Sequence, residues 1–321
     1  MIASPAHDTR EQRARTVDAA TALGREAGDL VHDPSTLVAT LREGLAALAD
    51  REYRESAAII VPGIGPFLGV RQPLLRAVSR GLRAALRRDG ATTVLDVASA
   101  LLREPLAELR WLGIDLLDRT ITTEPELTWQ LVRAASRRAS DWATVDRLAR
   151  PMARGIVAEP YRWAELEQLV YSPSRWERRL VGSTIATVPH VGRQADERRE
   201  CVRHGLPLLG DLVGDAEPDV QKALSWALRT LAAIDLGATA TFLRAEAATA
   251  RSTRDGHRAW VIRDTFGKLP AELAAELRAT LDGIRRRAAA PSTSRAGATA
   301  AGFAGLGVEV PPAQRQTIDR G

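Results

Sequence analysis

The chain has 321 residues, 45% of them hydrophobic, enough to bury a substantial core around one main domain, and a formal net charge of +5. The basic balance rests almost wholly on arginine, because Lys222 and Lys268 are the only lysines. A single cysteine, Cys201, excludes a disulfide framework, a Cys/His zinc site and a CxxC redox pair; the five histidines are scattered, and neither His190 nor His204 sits in a ligand spacing with a carboxylate or the thiol.

Residues 1–35 are charged and compatible with a helix interrupted by Gly24, Gly28 and Pro34, and are read as an N-terminal adjunct. From residue 36 helical periods follow one another between Pro, Gly, Asp and Ser signals, with no alternating strand. The predicted helices cover 36–48, 72–88, 92–102, 105–119, 125–138, 141–156, 161–170, 174–188, 195–212, 218–233, 238–248, 254–266 and 271–287. The most apolar run, 57–70, is broken by Pro62, Gly63, Gly65 and Pro66 and is too short to span a bilayer. Residues 1–15 lack the apolar centre of a signal peptide. A cytoplasmic protein with no membrane partner is expected.

Helices that open near Pro105, Asp141, Ser174 and Pro218 recur at steps of roughly 35 to 45 residues, the period of HEAT-like hairpins. The fold class expected is therefore all-α, with helical pairs stacked into a curved solenoid over 36–287. The Ala, Gly, Ser, Thr and Pro-rich stretch 288–321 is expected to be an unstructured tail.

Three segments stand out from this framework. Asp-Trp-Ala-Thr-Val-Asp at 141–146, Arg-Trp-Glu-Arg-Arg at 175–179 and Gln-Lys-Ala-Leu-Ser-Trp-Ala-Leu-Arg at 221–229 each put an aromatic ring beside charge, opposite an apolar stripe. Trp142 and Asp146 are i,i+4 neighbours, as are Arg175 and Arg179, while Lys222, Trp226 and Arg229 share one side of a helix. The stripes Val145, Leu148 and Met152; Val181, Ile185 and Val188; and Val220, Leu224, Leu228 and Leu231 are core. Trp111, Trp129, Trp163 and Trp260 fit helix packing. Arginines interleaved with tryptophans on one surface suit nucleic acid, since guanidinium forks bind phosphates and flat rings contact sugars or bases. A solvated face of snorkelling arginines is the alternative. Asp146 beside Trp142 makes a pocket both apolar and anionic, suited to a cationic transition state; the alternative is a surface salt bridge to Arg150 at i+4.

These segments resemble the bacterial DNA alkylation repair family of HEAT-like-repeat DNA glycosylases. The resemblance runs from Pro66-Phe67-Leu68-Gly69-Val70, with Pro73, to about residue 268. It implies excision of N3- or N7-alkylated, including bulky, purines from double-stranded DNA, without metal or organic cofactor, by a protein expected to be a monomer. In the family's Trp-Asp-x-Val-Asp motif the first Trp and last Asp are active-site residues, matching Trp142 and Asp146. The cleft arginine three positions after a Trp matches Arg179 after Trp176. The second cleft tryptophan and the DNA-contacting arginine three residues later match Trp226 and Arg229. By this resemblance Asp146 stabilises an oxocarbenium-like sugar, Trp142 and Trp226 press on it, and Arg179 and Arg229 hold phosphates, with Trp176, Arg175 and Lys222 on the DNA side. Three departures remove aromatic or charged groups: Ala143 for an acidic residue, Ile59-Ile60-Val61 where relatives carry Tyr-Met-Lys, and Thr187 for a lysine. A DNA-binding relative without catalysis and a HEAT-type protein-interaction scaffold stay open as other readings.

Overall fold

The computed structural model describes residues 5–192, 194–287 and 289–304, with side chains from residue 16 to residue 303 within those ranges. Among these residues every named element is a helix, and no helix is long and apolar enough to cross a membrane. The all-α expectation holds. The described residues fall into two compact units, one within Met1–Ala135 and the other within Ser136–Gly321.

The first unit holds α1 (Pro5–Gly28), α2 (Pro34–Ala47), α3 (Arg51–Ile60), α4 (Gln72–Ala85), α5 (Ala91–Leu102), α6 (Ala107–Thr120) and most of α7 (Pro125–Arg138). Here α1 lies directly along α4. A Cβ on Gly24 would fall 2.0 Å from the Val78 carbonyl oxygen, and one on Gly81 would fall 2.1 Å from that of Thr21. Each glycine costs its helix about 1 kcal/mol relative to alanine, but it lets the two backbones meet. Gly24, which looks like an interruption in the sequence, is where α1 seats.

The turn after α3 is organised by a buried carboxylate. Glu108, in the first turn of α6 and 0% exposed, accepts through Oε1 from the backbone N–H groups of Leu68 (3.1 Å), Gly69 (2.9 Å) and Val70 (3.2 Å). Gly69 takes φ of +92°, the left-handed region that glycine enters without strain. Phe67 packs on Trp111 and Tyr53, with ring centroids 5.7 and 6.0 Å apart. The helix α3 is absent from the predicted elements because it has no apolar stripe to bury. Ala57 is its one buried residue, while Ile59 and Ile60 are 83% and 65% exposed. Its start is marked only by Asp50, whose carboxylate accepts from the Tyr53 N–H at 2.9 Å.

The second unit comprises α8 (Trp142–Ala158), α9 (Arg162–Val170), α10 (Arg175–Val191), α11 (Ala195–Leu212), α12 (Pro218–Ala232), α13 (Leu236–Thr253), α14 (Gly256–Thr265), α15 (Ala271–Thr280) and α16 (Arg295–Ala304). These form two rows: α8 packs on α10, α10 on α12 and α12 on α14, while α9, α11, α13 and α15 follow one another on the other side. This is the layered arrangement of helical repeats. The expected stripes are its seam: Leu148, Met152, Val181, Ile185, Leu224, Leu228 and Leu231 are all 0% exposed, and Leu180, outside the expected stripes, joins them at 0%. Each fully buried leucine contributes about 1.5–3 kcal/mol.

Part of the stretch expected to be an unstructured tail is built into this unit. The Thr293 N–H donates to the Gly214 carbonyl at 2.9 Å, the Ala216 N–H donates to Ser292 Oγ at 2.8 Å, and Arg295 pairs with Asp211 at 2.9 Å. The short α16 then rests on α11 with Ala296 buried. Small residues and hydroxyls let this strap lie flat against loops, and they are the composition that reads as low complexity. Residues 305–321 of that stretch lie outside the described residues.

Two outcomes follow from this packing. Glu108→Ala leaves three backbone donors without their acceptor and is expected to lower stability by about 2–4 kcal/mol in chemical denaturation. Burial raises the Glu108 carboxyl above its ordinary value, so the folded state holds its proton longer than the unfolded chain. Its contribution to stability therefore falls as pH rises from the ordinary carboxyl value through the raised one, and Glu108→Gln should flatten that part of the stability profile. Cys201 is buried, with Sγ donating to the Ile185 carbonyl at 3.4 Å, and burial pushes its thiol up to about 12. A thiol-alkylating probe at neutral pH should label it only at the rate of global unfolding; rapid labelling of native protein would show that the seam between α10 and α11 opens locally.

Candidate active site

Asp141 begins the site by starting its helix. Its carboxylate accepts from the Thr144 N–H at 2.8 Å as the N-cap of α8, which places Trp142 in the first turn and Asp146 one turn later on the same side. Trp142 is half-buried and Asp146 keeps 23% of its side chain exposed. The carboxylate of Asp146 is gripped from the neighbouring helix. Arg179 on α10 donates to it from two nitrogens, Nε to Oδ1 at 3.0 Å and Nη2 to Oδ2 at 2.8 Å. The hydroxyl of Ser183, one turn further along α10, donates to Oδ1 at 2.6 Å. The ion pair of Asp146 thus crosses to the next repeat rather than running along its own helix to Arg150.

The remaining terminal nitrogen of Arg179, Nη1, donates to the backbone carbonyl of Asp219 on α12 at 2.6 Å. All three guanidinium nitrogens are committed, and the side chain is only 6% exposed. Its Cζ lies 6.0 Å from the Trp142 ring centroid, at the limit of a cation–π contact. One arginine therefore ties α8, α10 and α12 together at the point where the carboxylate sits. Oδ1 of Asp146 accepts two hydrogen bonds and Oδ2 accepts one, so Oδ2 keeps the more accessible lone pair. Ser183 was not singled out from the sequence; its position four residues after Arg179, on the same helix side, was the available signal.

Glu177 and Arg178 of the same segment are structural. Glu177 accepts from the hydroxyls of Ser136 at 3.2 Å and Ser172 at 2.5 Å. Arg178 pairs with fully buried Asp215 at 2.7 Å and donates to the carbonyls of Ser172 and Pro173. The sequence reading puts Trp176 on the polar face, and the structure corrects this. Trp176 is 7% exposed and packed inside the unit, with the Arg175 guanidinium 4.8 Å from its ring centroid. The dense charge around it hides the fact that three of those charges are satisfied within the protein. Arg175 itself is 37% exposed and reaches Glu217 at 3.3 Å.

A second arginine–carboxylate–serine cluster occupies the next pair of helices. Arg229 on α12 donates through Nη1 to Asp264 Oδ2 at 2.6 Å, to the Asp264 carbonyl at 2.8 Å and to Ser225 Oγ at 3.4 Å. Ser225 Oγ also donates to Asp264 Oδ2 at 2.6 Å. The two clusters differ in exposure. Arg229 and Asp264 keep 29% and 41% of their side chains in solvent, and an exposed pair of this kind is worth about 0–1 kcal/mol. Trp226, half-buried, stands between Ser225 and Arg229 in sequence, and Lys222 is exposed at the start of the same helix. Trp163 stacks on His204 with centroids 5.3 Å apart, and Trp260 carries the Arg286 guanidinium at 5.1 Å, so both act in packing. A hollow of about 360 Å³ between α9 and α11 belongs to the other row and contains none of these site residues.

Among the described residues no group of three or more His, Cys, Asp or Glu side chains is placed to hold a metal ion. A search of curated proteins finds no match to the chain. A family model described as DNA alkylation repair enzyme matches residues 41–258, which takes in Pro66–Val70 and every residue of both arginine–carboxylate clusters except Asp264. The chain belongs to the DNA alkylation repair enzyme family.

Proposed function

We propose that this protein is a DNA glycosylase that releases N3- or N7-alkylated purines from duplex DNA, leaving an abasic site. The observation that supports this most is the state of Asp146: a carboxylate on a repeat helix, partly open to solvent, beside an indole, and fixed from outside its own helix by Arg179 and Ser183.

Alkylation at N3 or N7 makes the purine cationic, so the base departs neutral and needs little help from a general acid. The sugar carries the developing positive charge. Asp146 would face C1′ and stabilise that charge, while Oδ2, which accepts a single hydrogen bond, takes a proton-bearing water and orients it for attack. The bond from C1′ to the purine nitrogen breaks with its electron pair going to the base. Water then forms the new bond at C1′ and passes a proton to the Asp146 carboxylate, which returns it to solvent. Fixing the carboxylate before substrate arrives means it need not reorganise during the reaction. Trp142 would lie against the sugar, where a ring face favours a cation.

This reading reassigns Arg179. Its three nitrogens are occupied by Asp146 and the Asp219 carbonyl, so it positions the carboxylate instead of holding a phosphate. Arg229, Lys222 and partly exposed Arg175 would meet the DNA backbone, with Trp226 beside them. Trp176, being buried, supports Arg175 and makes no DNA contact in this scheme.

Mass-spectrometric detection of free bases from DNA bearing methyl and bulky purine adducts tests the activity directly. Asp146→Asn is expected to lower the single-turnover excision rate by about 100-fold or more while duplex affinity changes little; equal rates for variant and wild type would remove Asp146 from the chemistry. Arg179→Gln should depress that rate and cost about 1–3 kcal/mol of stability, because it strips a partner from a partly buried carboxylate. It should also leave the salt dependence of binding to alkylated DNA unchanged, whereas Arg229→Gln should reduce that log–log slope by about 0.9, the loss of one phosphate contact. A slope that falls equally in both variants would return Arg179 to the DNA backbone.

A further inference from the structure

We infer that Asp264 is a specificity-determining residue that restrains Arg229 against undamaged DNA; the inference rests on the DNA-binding role proposed above for Arg229. The Arg229 guanidinium is held at one corner only. Among the described residues Nη1 carries every hydrogen bond it makes, to the side chain and carbonyl of Asp264 and to Ser225. Among the described residues the Nε and Nη2 edge, the edge that binds a phosphate bidentately, has no partner. The fork is therefore aimed but not used.

The carboxylate that aims it also opposes its purpose. Asp264 lies 2.6 Å from Nη1 and is 41% exposed, so an approaching phosphate meets a pair of no net charge. Long-range attraction to any duplex is correspondingly muted. Contact at hydrogen-bonding distance, through the open edge of the fork, is still available to a backbone that comes close enough. A phosphate brought there by a lesion seated near Trp226 gains this contact, and a duplex passing at a distance does not. The Arg179–Asp146 pair has the opposite build, with both carboxylate oxygens engaged, 6% exposure of the arginine and no unused nitrogen. A buried pair of that kind holds a carboxylate for chemistry. The exposed pair on α12 and α14 tunes a cation.

Asp264→Asn keeps the shape and an acceptor for Nη1 while removing the charge. Fluorescence anisotropy with alkylated and undamaged duplexes across a salt series reads the effect in the full-length protein. The expected result is roughly fivefold tighter binding of undamaged duplex at low salt and a log–log slope steeper by about 0.9, one added phosphate. The preference for alkylated over undamaged DNA should narrow. In an Arg229→Gln background the same substitution should leave the slope unchanged, which a general loss of negative charge or a folding defect would not produce. An unchanged slope for Asp264→Asn alone, or weaker binding of both duplexes, overturns the role of Asp264 while leaving the glycosylase reading intact. Wild-type protein that binds neither duplex overturns both.

Discussion

The Arg179 guanidinium is the joint on which the site depends. It reaches across from α10 to the Asp146 carboxylate on α8 and to a backbone carbonyl on α12, so the position of that carboxylate is set by three repeats at once. A charge this poorly hydrated is tolerable only with its acceptors in place. The packing of the apolar seam and the geometry of the site are therefore not separable. Leu180 and Val181, immediately after Arg179 in sequence, are fully buried in that seam, and they fix where the arginine stem begins.

The two arginine–carboxylate–serine clusters show how one set of residue types yields different electrostatics. In the Asp146 cluster the fork spans both carboxylate oxygens and is shielded from water; in the Asp264 cluster one nitrogen makes the contacts and about a third of the pair faces solvent. Shielding decides whether the arginine's charge is spent inside the protein or felt outside it. A count of arginines in the sequence sees no such difference.

The row of site helices was legible in the sequence because its physics is periodic. Val145, Leu148 and Met152, and the matching stripes on α10 and α12, repeat at helical spacing and are buried as that spacing requires. The opening of a helix near Asp141 was legible for an equally local reason, an Asp signal ahead of the apolar period. What escaped were features made by partners distant in sequence. Glu108 organises a turn some 40 residues earlier, Asp264 meets an arginine 35 residues before it, and the burial of Trp176 depends on where Glu177 and Arg178 find Ser172 and Asp215. The α3 helix and the strap at 289–304 escaped because neither carries a stripe: one is almost wholly solvated, and the other uses hydroxyls in place of apolar side chains.

The close seating of α1 on α4 bears on how this protein can be shortened. The family match begins at residue 41, and a fragment trimmed to it would strip α4 of the helix that fits against Gly81. A notch shaped for a backbone cannot be refilled by a side chain rotating into it, nor healed by water alone, since its walls include Val78 and Leu82. Such a fragment would carry an open apolar furrow along its length and would be prone to self-association, though every residue of the chemistry described above would still be present.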